Sequence, residues 1–579
     1  MPFRAPVLLA SVAFALAALA PLGAAAQSVS GEPLRLENAK REAVPAFRTT
    51  GAPAATLRFQ PLPAARIEAM QRHNVAQGGK RVQIGIHRAT ASEAEALLPA
   101  DMAWTPVNGG RVLRFDVTSP DAAAMRVALD LGGLPAGAEL RVASRDGGNV
   151  EVVDAATLTT AARDGAPYWA PVTAGDTQRL ELYVPGAAAF VPRIETVSHL
   201  VSSPFRPLDM AKSLGASGAC NIDVACRTSS LGAPFVNVKN AVAMITFEIA
   251  GGTTSCTGTL LNDSTPSTQV PYFYSAAHCF TSQAVANTAI TWWNFETPTC
   301  GARLAGDNVQ GPRGSTVLFA SLSTDVLFLR LAGAPPAGAF FAGWNASTLT
   351  APTPVITVHH PRGDNKKYSR GTHSGFSSNV QFQGDPQVVT SAARASWLEG
   401  TTEGGSSGGG LFTLSGQDYQ LRGGLYGGAA ACANSGQSEA NGNVDFYSRF
   451  DQVYPSLQQW LGTAAGPTRD YTGAWFFPSE PGWGLTVFNY PNTFFALFFV
   501  YDTAGRPAWY RMQSSWTGPD QITANLDRPT GPPWANSFNA GAITYARVGS
   551  ATLTFTSATA GTLTINDGTV NRTVAISKL

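Results

Sequence analysis

The stretch Thr401-Thr-Glu-Gly-Gly-Ser-Ser-Gly-Gly-Gly410 decides how the rest of this chain is read. It stands between two apolar, strand-like runs, Val388–Trp397 and Leu411–Leu414, and not between two domains. A glycine pile in a linker carries no chemistry. A serine held by glycines between strands instead points to a nucleophile in a sharp turn, with backbone N–H groups aimed at a developing oxyanion. The stretch that completes this reading lies far upstream, at Phe273-Tyr-Ser-Ala-Ala-His-Cys279.

A serine hydroxyl is a poor nucleophile until a base takes its proton, and the base must be oriented by a carboxylate that also stabilises its charged form. His278 supplies the base. Asp325, in Thr324-Asp-Val-Leu-Phe-Leu329, supplies the carboxylate at the start of an apolar strand, where an acid without a partner is costly. Gly405-Ser-Ser-Gly-Gly409 supplies the nucleophile. Attack geometry wants a glycine two positions before the serine and one just after it. That selects Ser407 over Ser406, with the N–H groups of Gly405 and Ser407 as the oxyanion hole. The order His, Asp, Ser is similar to that of the chymotrypsin-type barrel enzymes.

Composition agrees with such a fold. The 579 residues carry a formal net charge of +1, so nothing points to nucleic acid or to anionic lipid. Gly, Pro, Ser and Thr are plentiful and long amphipathic helices are scarce, which favours an all-β protein of several domains. Arg4, the apolar run Val7–Leu22 and Ala24-Ala-Ala26 read as a signal peptide over 1–26, followed by export. The six cysteines, at 220, 226, 256, 279, 300 and 432, all fall in one central block. An even number in an exported chain favours disulfides; their spacing does not suit a zinc site, and no metal or other cofactor is expected.

Along the chain, 27 to about 75 is Pro- and Ala-rich and reads as a poorly ordered lead-in. Alternating runs at Val82–Ile86, Arg111–Val117, Met125–Leu131, Glu139–Ala143 and Arg179–Val184 then predict a small β-sandwich. His73, His87 and His199 are scattered and read as surface or core residues. The segment Lys212-Ser-Leu-Gly-Ala-Ser-Gly-Ala219 is either a plain linker or a processing site after Lys212; both make 27–212 a separable unit, read as a propeptide. Residues 213–465 contain enough short strands for an antiparallel double barrel, with one short helix at Tyr454–Leu461. Beyond Gly466-Pro467, 469–579 is an aromatic-rich β module holding five of the twelve tryptophans. Its aromatics leave three uses open: stacking on sugars, gripping a partner, or packing a core.

Residues from about 215 to 465 resemble the bacterial lysyl endopeptidases, secreted trypsin-like enzymes that cut after lysine. The matching stretches are Gly218-Ala-Cys-Asn-Ile-Asp-Val-Ala-Cys226, Cys256-Thr-Gly-Thr-Leu-Leu-Asn262, Ala276-Ala-His-Cys279, Trp293-Asn-Phe-Glu296, His359-His-Pro361, Thr402–Gly408 and Gly427-Gly428 ahead of Cys432. The resemblance implies the disulfides Cys220–Cys432, Cys226–Cys300 and Cys256–Cys279. It aligns Asp445 with the acid that holds the substrate's basic side chain, a residue whose charge selects Lys or Arg. Tyr426 stands where the family has a histidine, and the tryptophan that accompanies that histidine has no equivalent near Gly375-Phe376. Leu425–Gly427 is expected to offer an edge on which a peptide pairs, so Tyr426 and Gly427 join the substrate-binding residues. Adjacent residues on a strand face opposite ways, so His359 and His360 read as structural and not as ligands of one ion. The chain is thus expected to be a secreted, monomeric serine endopeptidase made as a zymogen. Its expected partners are its own propeptide and peptide substrates with basic residues, with no nucleic acid or membrane. A protease-shaped binding protein is the alternative from another class, and the intact His278, Asp325 and Ser407 argue against it.

Overall fold

The computed structural model describes residues 28–35, 45–76, 81–187, 190–203, 205, 217–265, 268–302, 309–382, 385–462, 469–489, 494–502, 504–514, 520–533, 539–566 and 571–579. The signal sequence, Lys212 and the Gly466-Pro467 break lie outside the described residues. The protein is predominantly β, and its strands fall into three bodies.

The N-terminal body is a sandwich. One sheet runs Glu151–Val153, Glu139–Ser144, Thr177–Pro185, Gly110–Thr118, Ala55–Arg58. The other runs Tyr168–Trp169, Ala124–Asp130, Arg193–Leu200, Gly85–Ala89. Alternation places Phe115, Val142 and Leu180 of the first against Met125, Val127 and Val197 of the second in one buried cluster. The lead-in is more ordered than its composition suggests. Ser28–Val29 and Glu32–Pro33 pair with Gly343–Asn345 and Phe340–Phe341 of the central body, and Ala64–Ala76 is a helix.

The central body is a pair of antiparallel barrels. The first contains the strand order Val309–Arg313, Ile290–Trp293, Val242–Ile249, Gly252–Leu261, Tyr272–Ser275, Val326–Leu331, Ser315–Ser321. In the second, Asp418–Gly428, Gly410–Ser415, Thr353–His359, Lys367–Val380, Val389–Glu399 and Asp445–Ser448 close on themselves, because the last also pairs with the first. Phe450–Leu461 is the expected helix, beginning about one turn earlier than the sequence pattern suggests. A second helix, Thr228–Ala241, holds Pro234 and a left-handed Gly232, and that break in periodicity hid it. The C-terminal module is a closed barrel of eight consecutive strands from Gly473–Phe476 to Asn571–Lys578. Its aromatics divide by strand alternation: Trp475 and Phe498 point into the core, while Trp509, Phe499 and Tyr501 lie on the outside.

One predicted strand is split between two bodies. Gly85–Ala89 stays in the sandwich, but Val82–Gln83 leaves it to pair antiparallel with Thr254–Ser255 of the first barrel. The two bodies share an apolar cluster of Val82, Ile84, Ala124 and Leu200 with Met244, Ile290 and Trp292. Beside it, the buried Arg126 guanidinium meets the buried Glu248 carboxylate at 3.2 Å, and Thr253 and His87 also bond that carboxylate. Removing one side of a buried ion pair strands the other. Arg126→Met is therefore expected to weaken the sandwich's hold on the barrel by ~3–5 kcal/mol, read as an earlier first transition in urea unfolding of a full chain carrying Ser407→Ala. Acid acts at a separate point. His199 is buried against the Ser119 hydroxyl at 2.8 Å, and burial, helped by the nearby Arg88 charge, lowers its pKa from 6.5 to about 4. Below pH 6.5 the unfolded chain takes up a proton that the folded one refuses until about pH 4. Stability of the sandwich should thus fall across that window, by at most ~1.4 kcal/mol per pH unit, and the slope should flatten in His199→Gln.

Candidate active site

The glycine stretch forms the expected turn. Gly405 has a left-handed φ of 93°, and a Cβ there would lie 2.7 Å from the His360 carbonyl oxygen, so only glycine fits. Ser406 N–H is taken by the Glu403 carbonyl and Gly408 N–H by the Leu425 carbonyl. Among the described residues, no acceptor is recorded for the N–H groups of Gly405 or Ser407. Ser407 itself is fully buried.

Three side chains far apart in sequence meet at this turn. Ser407 Oγ lies 2.6 Å from His278 Nε2. On the other side of the ring, Nδ1 is 2.9 Å from Asp325 Oδ2 and 3.1 Å from Oδ1, and the His278 backbone N–H donates to Oδ1 at 2.9 Å. Asp325 is fully buried with a left-handed φ of 53°, a conformation that aspartate tolerates better than most residues. With Nδ1 facing a carboxylate, the imidazole holds its proton there and leaves Nε2 to accept the serine's. Immediately beyond His278, the Cys256–Cys279 disulfide ties the histidine loop to the strand Gly252–Leu261. The remaining disulfides are Cys220–Cys432 and Cys226–Cys300.

Residues that the sequence reading did not single out complete the surroundings. Gln387 Nε2 donates to Asp325 Oδ1 at 3.0 Å, and its own backbone carbonyl accepts from Tyr426 OH at 3.2 Å. The Tyr426 ring packs edge-on to His278 at 5.7 Å, and Phe382 packs on Tyr426 at 4.8 Å. Burial pushes the Tyr426 phenol up, so it stays neutral. Phe376 instead packs on His373 and under the Arg449 guanidinium. Neither Gln387 nor Phe382 sits in a motif, and only the fold brings them in.

The two adjacent histidines face opposite ways. His359 Nδ1 lies 2.7 Å from Ser406 Oγ, which accepts from Glu403 N–H, so this ring holds the nucleophile turn from beneath. His360 stacks on Phe295 and bonds the Asp364 carbonyl; burial keeps it far below its ordinary pKa and therefore neutral. Glu403 accepts from Gly218 N–H and Asn221 Nδ2, which ties the turn to the first disulfide loop.

Asp445 is fully buried on the strand beside Gly427-Gly428. Its Oδ2 accepts from Trp397 Nε1 at 2.7 Å and from Thr402 Oγ1 at 2.6 Å. A Cβ at Gly428 would sit 2.3 Å from Oδ1, so only glycine fits against the carboxylate. The strand's register shifts between Leu425 and Gly427, which takes Tyr426 out of the ladder with Asp445–Ser448.

Gln387→Leu removes a hydrogen bond to a buried carboxylate and is expected to lower kcat about 10–100-fold with little change in KM, as a charged-group bond of ~1.5–3 kcal/mol would. Steady-state kinetics against a chromogenic peptide would measure it.

Family models agree with the two N-terminal bodies: one described as the lysyl endopeptidase N-terminal domain matches residues 58–201, and one for the lysyl endopeptidase C-terminal domain matches 214–448. A lysyl endopeptidase from Pseudomonas aeruginosa is 35% identical over 399 residues, which cover 66% of this chain and 82% of that protein. Among solved structures, the active form of the Rv3671c protease from M. tuberculosis is 19% identical with a TM-score of 0.28, covering 39% of this chain and 83% of that one. The protease Anisep from Arthrobacter nicotinovorans is 17% identical with a TM-score of 0.27, covering 38% and 95%. On the identity and coverage shared with the Pseudomonas enzyme, the chain belongs to the lysyl endopeptidase family and is a serine endopeptidase.

Proposed function

We propose that this endopeptidase is exported and cuts peptide bonds on the carboxyl side of lysine, with Ser407 as nucleophile, His278 as general base and acid, and Asp325 as the group that orients and charges the histidine. His278 Nε2 takes the serine proton as Oγ attacks the carbonyl carbon. The N–H groups of Gly405 and Ser407 receive the oxyanion, and the same proton goes to the departing amine. Water then releases the acyl group by the reverse path.

The observation that carries the lysine reading is the buried carboxylate of Asp445 with one oxygen already holding two donors. A carboxylate in that state is a poor match for arginine, whose planar fork wants both oxygens in parallel. A lysine ammonium is a point charge and needs no fork. Tyr426 and Gly427, on the strand paired with Asp445–Ser448, serve as the substrate-binding edge. Three disulfides suit an oxidising, extracellular setting. The sandwich is the propeptide of a zymogen, and the mature enzyme acts as a monomer on proteins or peptides carrying basic residues.

Cleavage mapping on a peptide library tests this directly, with cuts expected after Lys and rarely after Arg; equal cutting after both, or after neither, overturns it. Asp445→Asn should reduce kcat/KM for lysyl substrates on the order of 10²–10³-fold, as loss of a buried charge partner does, while leaving labelling of Ser407 by a fluorophosphonate intact.

A further inference from the structure

The nucleophile turn holds two adjacent serines, and each meets a histidine. Ser407 faces His278 of the first barrel. Ser406 faces the second barrel, where His359 closes the strand Thr353–His359. His359 Nδ1 lies 2.7 Å from Ser406 Oγ, and Nε2 lies 3.3 Å from Ser369 Oγ, which donates to the Thr401 carbonyl at 2.8 Å. Both ends of the loop 401–407 therefore hang on one wholly buried ring. The glycines that bracket the loop are fitted to it. A Cβ on Gly400 would fall 2.5 Å from Ser369 Oγ, and one on Gly409 would fall 3.0 Å from His359 Cβ.

The order of protons along this chain follows from its far end. Ser369 has one hydroxyl proton and directs it to the Thr401 carbonyl, so Nε2 must donate to Ser369 Oγ. In a neutral ring Nδ1 is then bare. Ser406 donates to it, while Ser406 Oγ accepts from the Glu403 N–H at 3.1 Å. His278 is set the opposite way, with its proton on the Nδ1 that faces Asp325. The backbone of Ser406 is held as firmly. Its N–H goes to the Glu403 carbonyl at 3.0 Å, and its carbonyl accepts from Gly409 N–H at 2.8 Å. That carbonyl and the Ser407 N–H are the two ends of one planar peptide, so whatever fixes Ser406 aims the Ser407 N–H.

We propose that His359 is a positioning residue for the reaction: a neutral ring with its proton on Nε2, bridging Ser369 and Ser406, that fixes Ser406 and so aims the Ser407 N–H at the oxyanion. This rests on the reading above of Ser407 as nucleophile and of its N–H as an oxyanion donor. The second serine–histidine pair is not a second nucleophile, because Ser406 is fully buried and its hydroxyl is bonded as both donor and acceptor. His359 acts through Ser406 and not on the reacting atoms. A donor aimed where charge develops stabilises the transition state more than the bound substrate, which places the effect of His359 in kcat and not in KM.

The test compares turnover of a lysyl ester by wild type, His359→Leu, His359→Asn, Ser406→Ala and the double variant His359→Leu/Ser406→Ala. His359→Leu is expected to lower kcat about 10–100-fold with little change in KM, short of the roughly 10²–10³-fold that outright loss of an oxyanion donor costs. His359→Asn places an amide oxygen near the position of Nδ1 and should recover most of that loss. In the Ser406→Ala background, His359→Leu should cost no further kcat, because the two act as one unit. Heteronuclear NMR of the wild-type imidazoles should find the His359 proton on Nε2. A rise in KM at unchanged kcat, single losses that multiply in the double variant, no recovery in His359→Asn, or a proton on Nδ1 each overturns the inference. Where His359→Leu fails to fold, wild-type kcat in Ser406→Ala or the imidazole spectrum overturns it alone. Wild type that turns over no lysyl ester and takes no fluorophosphonate at Ser407 overturns the nucleophile reading itself.

Discussion

Ser407 and His278 stand on different barrels, so their 2.6 Å contact exists only while those barrels keep one mutual position. What fixes that position is the strand Gly252–Leu261 of the first barrel, which touches the nucleophile turn of the second. Thr257 N–H donates to the Ser407 carbonyl at 2.7 Å, and its hydroxyl to the Gly405 carbonyl at 2.9 Å while accepting from His360 N–H. Such an approach leaves no room for side chains: a Cβ at Gly408 would fall 2.3 Å from Ser275 Oγ and 2.4 Å from the Thr257 carbonyl oxygen. Beneath these bonds, Val242, Leu261, Tyr274 and Phe328 of one barrel share a buried cluster with Ile356, Val358, Phe412 and Phe450 of the other. Apolar burial supplies the attraction and the glycines let it bring the backbones into register.

The glycine turn, His278 and Asp325 were legible because each carries a local signature. Glycines mark a backbone that must be bare, a histidine beside a cysteine marks a stapled loop, and an acid at the head of Val326–Leu331 is expensive without a reason. The strands were legible for the same cause, since period-two alternation survives in any half-buried sheet. Gln387, Phe382 and Thr402 were not, because their importance is a matter of which loop folds over which. Gln387 reaches Asp325 across 62 positions of sequence. Phe382 meets Tyr426 only because Lys367–Val380 ends beside Asp418–Gly428 in space.

Val82–Gln83 is the instructive misassignment. Its alternation is genuine and continues into Gly85–Ala89, so pattern alone joins the two. The pattern reports that one face is buried, and it is silent on which body does the burying. Ile84 marks the divide: its N–H bonds Thr253 of the barrel, while its carbonyl accepts from Val201 of the sandwich. Edge pairing of this kind needs no special side chains, because main-chain groups do the recognising.

The balance of forces at that junction decides what holds the sandwich in place. Arg126 and Glu248 look like the strongest link, yet a buried ion pair returns little beyond what desolvating both charges costs. Its contribution is to register: any shift that separates the two leaves charges buried without partners. The net attraction must come from the apolar cluster of Val82, Ile84 and Leu200 with Met244, Ile290 and Trp292, and from the main-chain bonds along Thr253–Ser255. Those main-chain bonds lie on the strand Gly252–Leu261, whose Thr257 holds the Ser407 carbonyl. The element that sets Ser407 against His278 is thus also the one to which the N-terminal sandwich attaches.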